Sequence, residues 1–207
     1  MPLVMNRIEL CRQARLAGAP DRQKLASTPT VFREQKNPES YIIVPSTSSE
    51  NRRYIPIGFL DGETIPTNSA TIIEDATLYD FGILTSNVHM AWMRTVAGRL
   101  EMRYRYSAKI VYNNFPWPEV TDAQKEIISK TAQAILDARS LYPDSSLADL
   151  YDELTMPKEL RKAHQANDKA VMEAYDMTKI VNGKRTWLTE SETVARLFEM
   201  YEELTKN

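Results

Sequence analysis

Along the 207-residue chain the spacing of apolar positions changes character near residue 118. Before it, short apolar runs predict strands: Tyr41-Ile42-Ile43-Val44, Arg53 to Leu60, and Ala70-Thr71-Ile72-Ile73. Pro56 marks the second of these as an edge strand or a bulge, because proline cannot donate to a ladder. Thr28-Pro29-Thr30-Val31-Phe32 opens the β-rich section, Pro45 to Glu50 reads as a polar loop, and Asp61-Gly62 is a turn signal. Thr85 or Ser86 caps a helix to about Val96, in which Val88, Trp92 and Val96 recur every four residues. From Glu101 to Tyr112 the chain reads as extended.

Asn113-Asn114-Phe115-Pro116-Trp117-Pro118 follows as a stiff joint, where a domain boundary and an exposed hinge are expected. Beyond it the periodicity is helical. Thr121 with Gln124 forms a capping box ahead of Ile127, Ile128, Ile135, Ala138 and Leu141. Leu147, Leu150, Tyr151 and Leu154 make a short helix, and Pro157 suits the first turn of another running towards Tyr175. Thr189 with Glu192 opens a last helix carrying Val194, Leu197, Phe198, Tyr201 and Leu204. At the other end, residues 1–26 read as a basic helix or arm with Ile8, Cys11, Arg12 and Arg15 at helical spacing, broken at Gly18-Ala19-Pro20. The expected class is α+β. Its parts are a helical connector over 1–26, a mixed β-rich domain over 27–118 and a helical C-terminal domain over 119–207.

Composition narrows the function classes. No apolar run approaches the length of a membrane span, and Arg7, Glu9, Arg12 and Arg15 interrupt any signal-peptide core, so a cytoplasmic protein is expected. Cys11 is the only cysteine, which excludes an internal disulfide and a cysteine zinc cluster. His89 and His164 are far apart, so no metal site is expected. Net charge is −2, yet its distribution is uneven. Residues 1–113 carry 14 Lys+Arg against 11 Asp+Glu, and residues 114–207 carry 12 against 17. That asymmetry suggests an N-terminal surface that meets a polyanion; chance sampling explains it about as well.

In Leu100-Glu101-Met102-Arg103-Tyr104-Arg105-Tyr106 charged and apolar residues alternate strictly. On an extended chain Glu101, Arg103 and Arg105 share one face, with Met102, Tyr104 and Tyr106 turned inward. Arg is the group that reads guanine in a major groove, and Glu accepts from the amino group of cytosine. The plainer alternative is a solvated strand face with a weak local ion pair. Trp92, Met90 and Met93 are expected in the core, and His89 as a packed, hydrogen-bonded histidine.

A wider resemblance rests on Arg53-Tyr54-Ile55-Pro56-Ile57-Gly58-Phe59, Ala76 through Leu84, and Thr85-Ser86 with His89-Met90-Ala91-Trp92. It continues through Gly98-Arg99-Leu100 and Ile110 through Pro118. The stretch resembles the target-recognition region of MmeI-like (type IIL) DNA methyltransferases and restriction-modification enzymes. The resemblance implies double-stranded DNA as partner and base reading by Glu101 and Arg103. It also implies a second variable loop at Asn68 and Ser69, and Ser46 to Ser49 form a third candidate loop. Arg52, Arg53, Arg105, Lys109 and Lys36 are the candidates for phosphate contact, which positions a protein without reading sequence.

Chemistry of its own is not expected of this chain. It has no Gly-x-Gly-x-x-Gly or phosphate-cradling loop. Asn114-Phe115-Pro116-Trp117 superficially resembles the Asn-Pro-Pro-Tyr motif of amino-methyltransferases but lacks its adjacent prolines. No catalytic, cofactor-binding or metal-ligating residue is assigned. The resemblance implies S-adenosylmethionine binding and adenine-N6 methylation in an upstream methyltransferase domain of a longer parent, with this chain as its sequence-reading fragment. The alternative is a helical protein-interaction module that reads no bases.

Overall fold

Proline at the first helical position has no intrahelical donor to lose, and Pro2 and Pro20 each begin a helix. In the computed structural model, which describes residues 1–33 and 38–206, these are α1 (Pro2–Leu16) and α2 (Pro20–Gln23). They belong to the first of two compact units, Met1–Asn37 and Pro38–Asn207. Within that unit the Arg15 guanidinium donates to the carbonyls of Leu25 at 2.7 Å, Thr28 at 2.6 Å and Val31 at 2.7 Å. The expected start of the β-rich section at Thr28–Phe32 is therefore corrected. Its carbonyls answer a side chain instead of a neighbouring strand, and it is a run of turns.

The second unit opens with β1 (Ser40–Pro45), the middle strand of an antiparallel sheet between β3 (Gly58–Asp61) and β4 (Ala70–Glu74). Pairing runs Ile42 to Phe59 on one side and Ile42 to Ile73 on the other. The strand expected over Arg53 to Leu60 is an edge strand but begins only at Gly58, so Pro56 lies before it and outside the sheet. Tyr54, Ile55 and Ile57 are all buried, without the alternation of a strand. Their backbone turns on itself, Ile57 N–H donating to the Ile55 carbonyl at 2.9 Å, while Arg94 and Arg139 donate to the carbonyls of Arg53 and Ile57. Inside the stretch read as the Pro45–Glu50 loop lies β2 (Thr47–Ser48), which pairs with β6 (Arg103–Arg105). β6 in turn pairs with β5 (Gly98–Leu100).

Helices close over these sheets. α3 (Leu78–Leu84) follows a capping box of Thr77 and Asp80. α4 (Asn87–Val96) is capped by Ser86, as expected. α5 (Asp122–Ser140) starts at the Thr121–Gln124 box, α6 (Leu147–Leu150) is short, and α7 (Lys158–Ala174) follows Pro157. α8 (Glu190–Thr205) starts at the Thr189–Glu192 box. The C-terminal region is not purely helical: β7 (Thr178–Val181) and β8 (Lys184–Trp187) pair as a hairpin. Asn182 (φ 51°) and Gly183 (φ 76°) form its turn, the left-handed pair that two-residue hairpins favour.

Several buried polar groups of this unit pair across long sequence distances. Tyr54 stacks on His164, ring centroids 4.1 Å apart, and its hydroxyl donates to Asp168 Oδ2 at 2.7 Å. Asp168 Oδ1 accepts the Asn87 N–H at 2.8 Å, at the start of α4. Burial pushes the Asp168 carboxyl up, against these two hydrogen bonds, which hold it down. His164 meets the Tyr151 hydroxyl at 2.7 Å, and Arg139 donates to the same hydroxyl.

The Phe115–Pro118 joint is packed, not an exposed hinge. Phe115, Pro116 and Pro118 are buried, the Pro116 carbonyl accepts from the Tyr175 hydroxyl at 2.9 Å, and Trp117 lies among Tyr79, Tyr112 and Phe115. Trp92, Met90 and Met93 are in the core, as expected. Ile127 of α5, Leu141 just past its end, and Leu154, all read as apolar helical positions, are exposed. Among the described residues no helix is long and apolar enough to cross a membrane.

Two predictions follow from this packing. A Cβ on Gly82 of α3 would lie 2.6 Å from Ile128 Cγ2 and 3.2 Å from Ala132 Cβ. Overpacking of about 1–3 kcal/mol exceeds the helix-propensity gain of about 1 kcal/mol. Gly82→Ala should lower stability by about 1 kcal/mol in urea unfolding. His89 and His164 supply the second. Burial depresses His89 to about 3 and His164 well below its ordinary value. The unfolded chain binds protons at both from about pH 6.5 downward while the folded chain does not, so stability falls as pH falls. For His89 the loss is about 2 kcal/mol between pH 6.5 and 5, and His164 acts in the same direction. Asp168, with its carboxyl raised, acts with the opposite sign. His89→Gln should flatten the wild-type dependence by the His89 share, read from urea midpoints at pH 7 and pH 5.

Candidate nucleic-acid interface

Ser46 is where the chain passes from one sheet to the other. Its N–H donates to the Ser69 carbonyl at 2.9 Å, extending the β1–β4 ladder, and its carbonyl accepts from Tyr106 N–H at 2.9 Å, extending the β2–β6 ladder. Strand spacing then puts the Ser69 and Tyr106 backbones about 10 Å apart across Ser46. The turn holding Asn68 and Ser69, the Ser46–Ser49 stretch and the β5–β6 hairpin are thereby tied to one point. Asn68 and Ser69 are exposed; Thr67 Oγ1 and Ser69 Oγ lie 2.6 Å apart, and Ala70 N–H closes the turn on the Thr67 carbonyl.

The stretch expected to be extended from Glu101 to Tyr112 is corrected. Leu100 pairs with Arg103, so Glu101 and Met102 are a two-residue hairpin turn. Glu101 sits at φ 57°, a conformation that favours glycine. Met102, expected inward, is 68% exposed at the tip. Beyond β6 the chain coils into a π-helical turn over Ala108–Tyr112. That turn is held by the Trp92 indole N–H on the Val111 carbonyl and by Asn114 Nδ2 on the carbonyls of Lys109 and Ile110.

Glu101 and Arg103 nonetheless stand together. Arg103 Nη2 is 2.7 Å from Glu101 Oε2, and both side chains are largely exposed. They meet because the turn folds the carboxylate over the first residue of β6, not because both lie on one strand face. As an exposed ion pair it contributes about 0–1 kcal/mol. Alternation along β6 places Arg105 on the Arg103 face and Tyr104 on the other, where Tyr104 is buried. Tyr106 is buried too, its hydroxyl 3.0 Å from Nε2 of His89, which packs edge-on against Phe115. The alternation thus anchors β6 by its tyrosines and presents its arginines, as expected for those four residues.

Among the phosphate candidates Arg105 and Lys109 are exposed near the hairpin and in the π-helical turn that follows it. Arg52 and Arg53 follow the turn that Ser49 closes, and Arg53 is held at α4 through its carbonyl. Lys36 lies outside the described residues. Sequence reasoning missed Arg99, which stands opposite Tyr104 with its guanidinium 3.9 Å from the ring centroid. Reading Leu100 and Arg103 as a hairpin pair would have exposed it, but Glu-Met is not a turn dipeptide that announces one.

An exposed, charged hairpin and two polar turns tied to one crossing strand, on a helical body, define a binding module. The family model described as "MmeI, target recognition domain" matches residues 1–119, and "MmeI, C-terminal domain" matches residues 120–207. The chain belongs to the family of MmeI target recognition and C-terminal domains. It is 40% identical over 207 residues to DNA methyltransferase A of Bacillus subtilis (strain 168), covering 99% of this chain and 23% of that protein. The solved structure of the type IIL restriction-modification enzyme MmeI in complex with DNA is 47% identical, with a TM-score of 0.88. That match covers all of this chain and 27% of the other. The chain thus spans about a quarter of the length of these relatives.

Left-handed backbone at a non-glycine residue costs about 1 kcal/mol or more. Glu101→Gly should therefore leave thermal stability unchanged or raise it by up to about 1 kcal/mol while removing the carboxylate. Calorimetric melting checks this, and a marked destabilisation would show that the Glu101–Arg103 ion pair contributes more to the turn than the left-handed backbone at Glu101 costs.

Proposed function

We propose that the chain is the sequence-reading part of a DNA adenine-N6 methyltransferase of restriction-modification type. In this reading Glu101 and Arg103 recognise one C·G pair in the major groove. The observation that carries it is the ion-paired Glu101–Arg103 at the exposed tip of the β5–β6 hairpin. A β-ribbon fits the major groove; there a glutamate accepts from cytosine N4 while an arginine donates twice to guanine O6 and N7. Their mutual ion pair already sets the two groups side by side, as adjacent bases of one pair require. Asn68 and Ser69 supply a second contact, with Asn suited to adenine. Arg105, Lys109, Arg52 and Arg53 neutralise phosphates and set the register. The names of the similar proteins, a DNA methyltransferase and an enzyme solved with DNA, support this assignment.

Cofactor binding and methyl transfer are placed outside this chain, in the remainder of a longer polypeptide. The Asn114 amide is engaged in capping the π-helical turn, and the Pro116 carbonyl in accepting from Tyr175, so the tetrapeptide that resembles a catalytic motif is used structurally. A cytoplasmic location, alongside DNA, goes with the reading.

The test is selection of duplexes by this chain from a random-sequence pool. Wild type should enrich a consensus containing a fixed C·G pair, with affinity that falls steeply with salt. Glu101→Lys combined with Arg103→Asp should invert that pair and leave the other positions alone. Either substitution by itself should weaken binding by about 1–3 kcal/mol. An identical consensus from the doubly substituted chain would contradict the reading.

A further inference from the structure

We propose that Arg99 is a positioning residue of this same site, fixing the direction in which the Glu101–Arg103 pair points; this rests on the base-reading role just given. Arg99 belongs to β5, the strand that carries neither reading residue, and its side chain lies on the opposite face of the ribbon, over Tyr104. It makes two contacts there. The guanidinium sits 3.9 Å from the centroid of the Tyr104 ring, and Nη1 donates to the Met102 carbonyl at 3.1 Å. Tyr104 is buried, so the ring is a fixed platform. Met102 is the second turn residue, so the hydrogen bond holds the turn directly.

Such a clamp is needed because the turn is strained. Glu101 adopts φ 57° without being glycine, and a residue in that region persists only where its surroundings hold it. Two contacts hold this one: the Arg103–Glu101 ion pair on one face and Arg99 on the other. The ion pair is made by the reading groups themselves, which must share their donors and acceptors with base edges on binding. Arg99 uses neither group, so its hold is independent of whether DNA is bound. The stacked guanidinium and its directed N–H together need a planar fork, which lysine lacks. Without Arg99 the turn is free to relax, and a displacement on the order of 1 Å at the tip misaligns a bidentate contact.

Arg99→Ala and Arg99→Lys are to be passed through the random-pool selection beside wild type and the Glu101→Lys, Arg103→Asp reversal. The reversal identifies the base pair concerned. Arg99→Ala should lose discrimination at that pair by about tenfold or more, with the other consensus positions retained. Arg99→Lys, which keeps a cation and a donor, should fall between. Retained discrimination in Arg99→Ala at the pair the reversal inverts would overturn the positioning role while leaving the reading intact. Uniform weakening on all sequences, with a salt slope lower by about one, would overturn it in favour of a phosphate contact. If Arg99→Ala does not fold by circular dichroism, Arg99→Lys decides, and wild-type discrimination there overturns the proposal. A reversal that inverts no pair removes the reading and the Arg99 role with it.

Discussion

Ser46 spends its backbone on two sheets at once. Its N–H completes the ladder to the turn holding Asn68 and Ser69, and its carbonyl completes the ladder to the hairpin strand holding Arg103 and Arg105. Backbone hydrogen bonds in a sheet fix neighbouring strands to about 4.8 Å, a tolerance that side-chain contacts between loops do not give. Three surface features far apart in sequence therefore share one frame. Side chains on that frame can vary without disturbing it, because the joining bonds belong to the main chain. Such an arrangement suits a surface that must hold geometry while its specificity changes.

The frame is anchored from below by paired polar groups. Tyr54 reaches Asp168 of α7, Asp168 reaches the first N–H of α4, and His164 stacks on Tyr54 while meeting Tyr151. Leaving any one of these groups unpaired costs more than the pair contributes, so the network fixes one packing of strands against helices. The Phe115–Pro118 segment, placed among Tyr79, Tyr112 and Tyr175, packs the passage from the hairpin region to the C-terminal helices.

Much of this was legible where local chemistry decides structure. The capping pairs Thr121–Gln124 and Thr189–Glu192, the Ser86 cap and the apolar run of β1 each announce an element that the structure contains. The Asn182-Gly183 turn is an equally local signal, a left-handed pair closing the β7–β8 hairpin. What spacing could not show was settled by long-range contacts. Glu101 turns the chain although nothing in Glu-Met favours a turn, because Arg99 and Arg103 hold it from both faces. The Arg53–Ile57 stretch looks like a strand but is not one, because arginines from α4 and α5 take its carbonyls. The Pro116-Trp117-Pro118 joint looked like a hinge because proline content says nothing about what packs on it. At the site, the alternation correctly gave Tyr104 and Tyr106 inward with Arg103 and Arg105 outward. It placed Glu101 beside Arg103 for the wrong reason and missed Arg99 altogether.

At the hairpin tip the account reduces to an arginine fork and a carboxylate held side by side by a strained turn. The most direct measurement replaces one atom of the base that Arg103 is held to read. In the duplex selected by the wild-type chain, the guanine of the pair assigned to Glu101 and Arg103 is exchanged for 7-deazaguanine, which lacks the N7 acceptor. Affinities are then compared for wild type and Arg103→Ala on both duplexes. The account predicts that wild type loses about 1 kcal/mol on the modified duplex, half of a bidentate contact, and that Arg103→Ala does not distinguish the two. Equal losses for both proteins would mean that Arg103 does not touch that guanine, and the account of the hairpin as the reading element would be wrong.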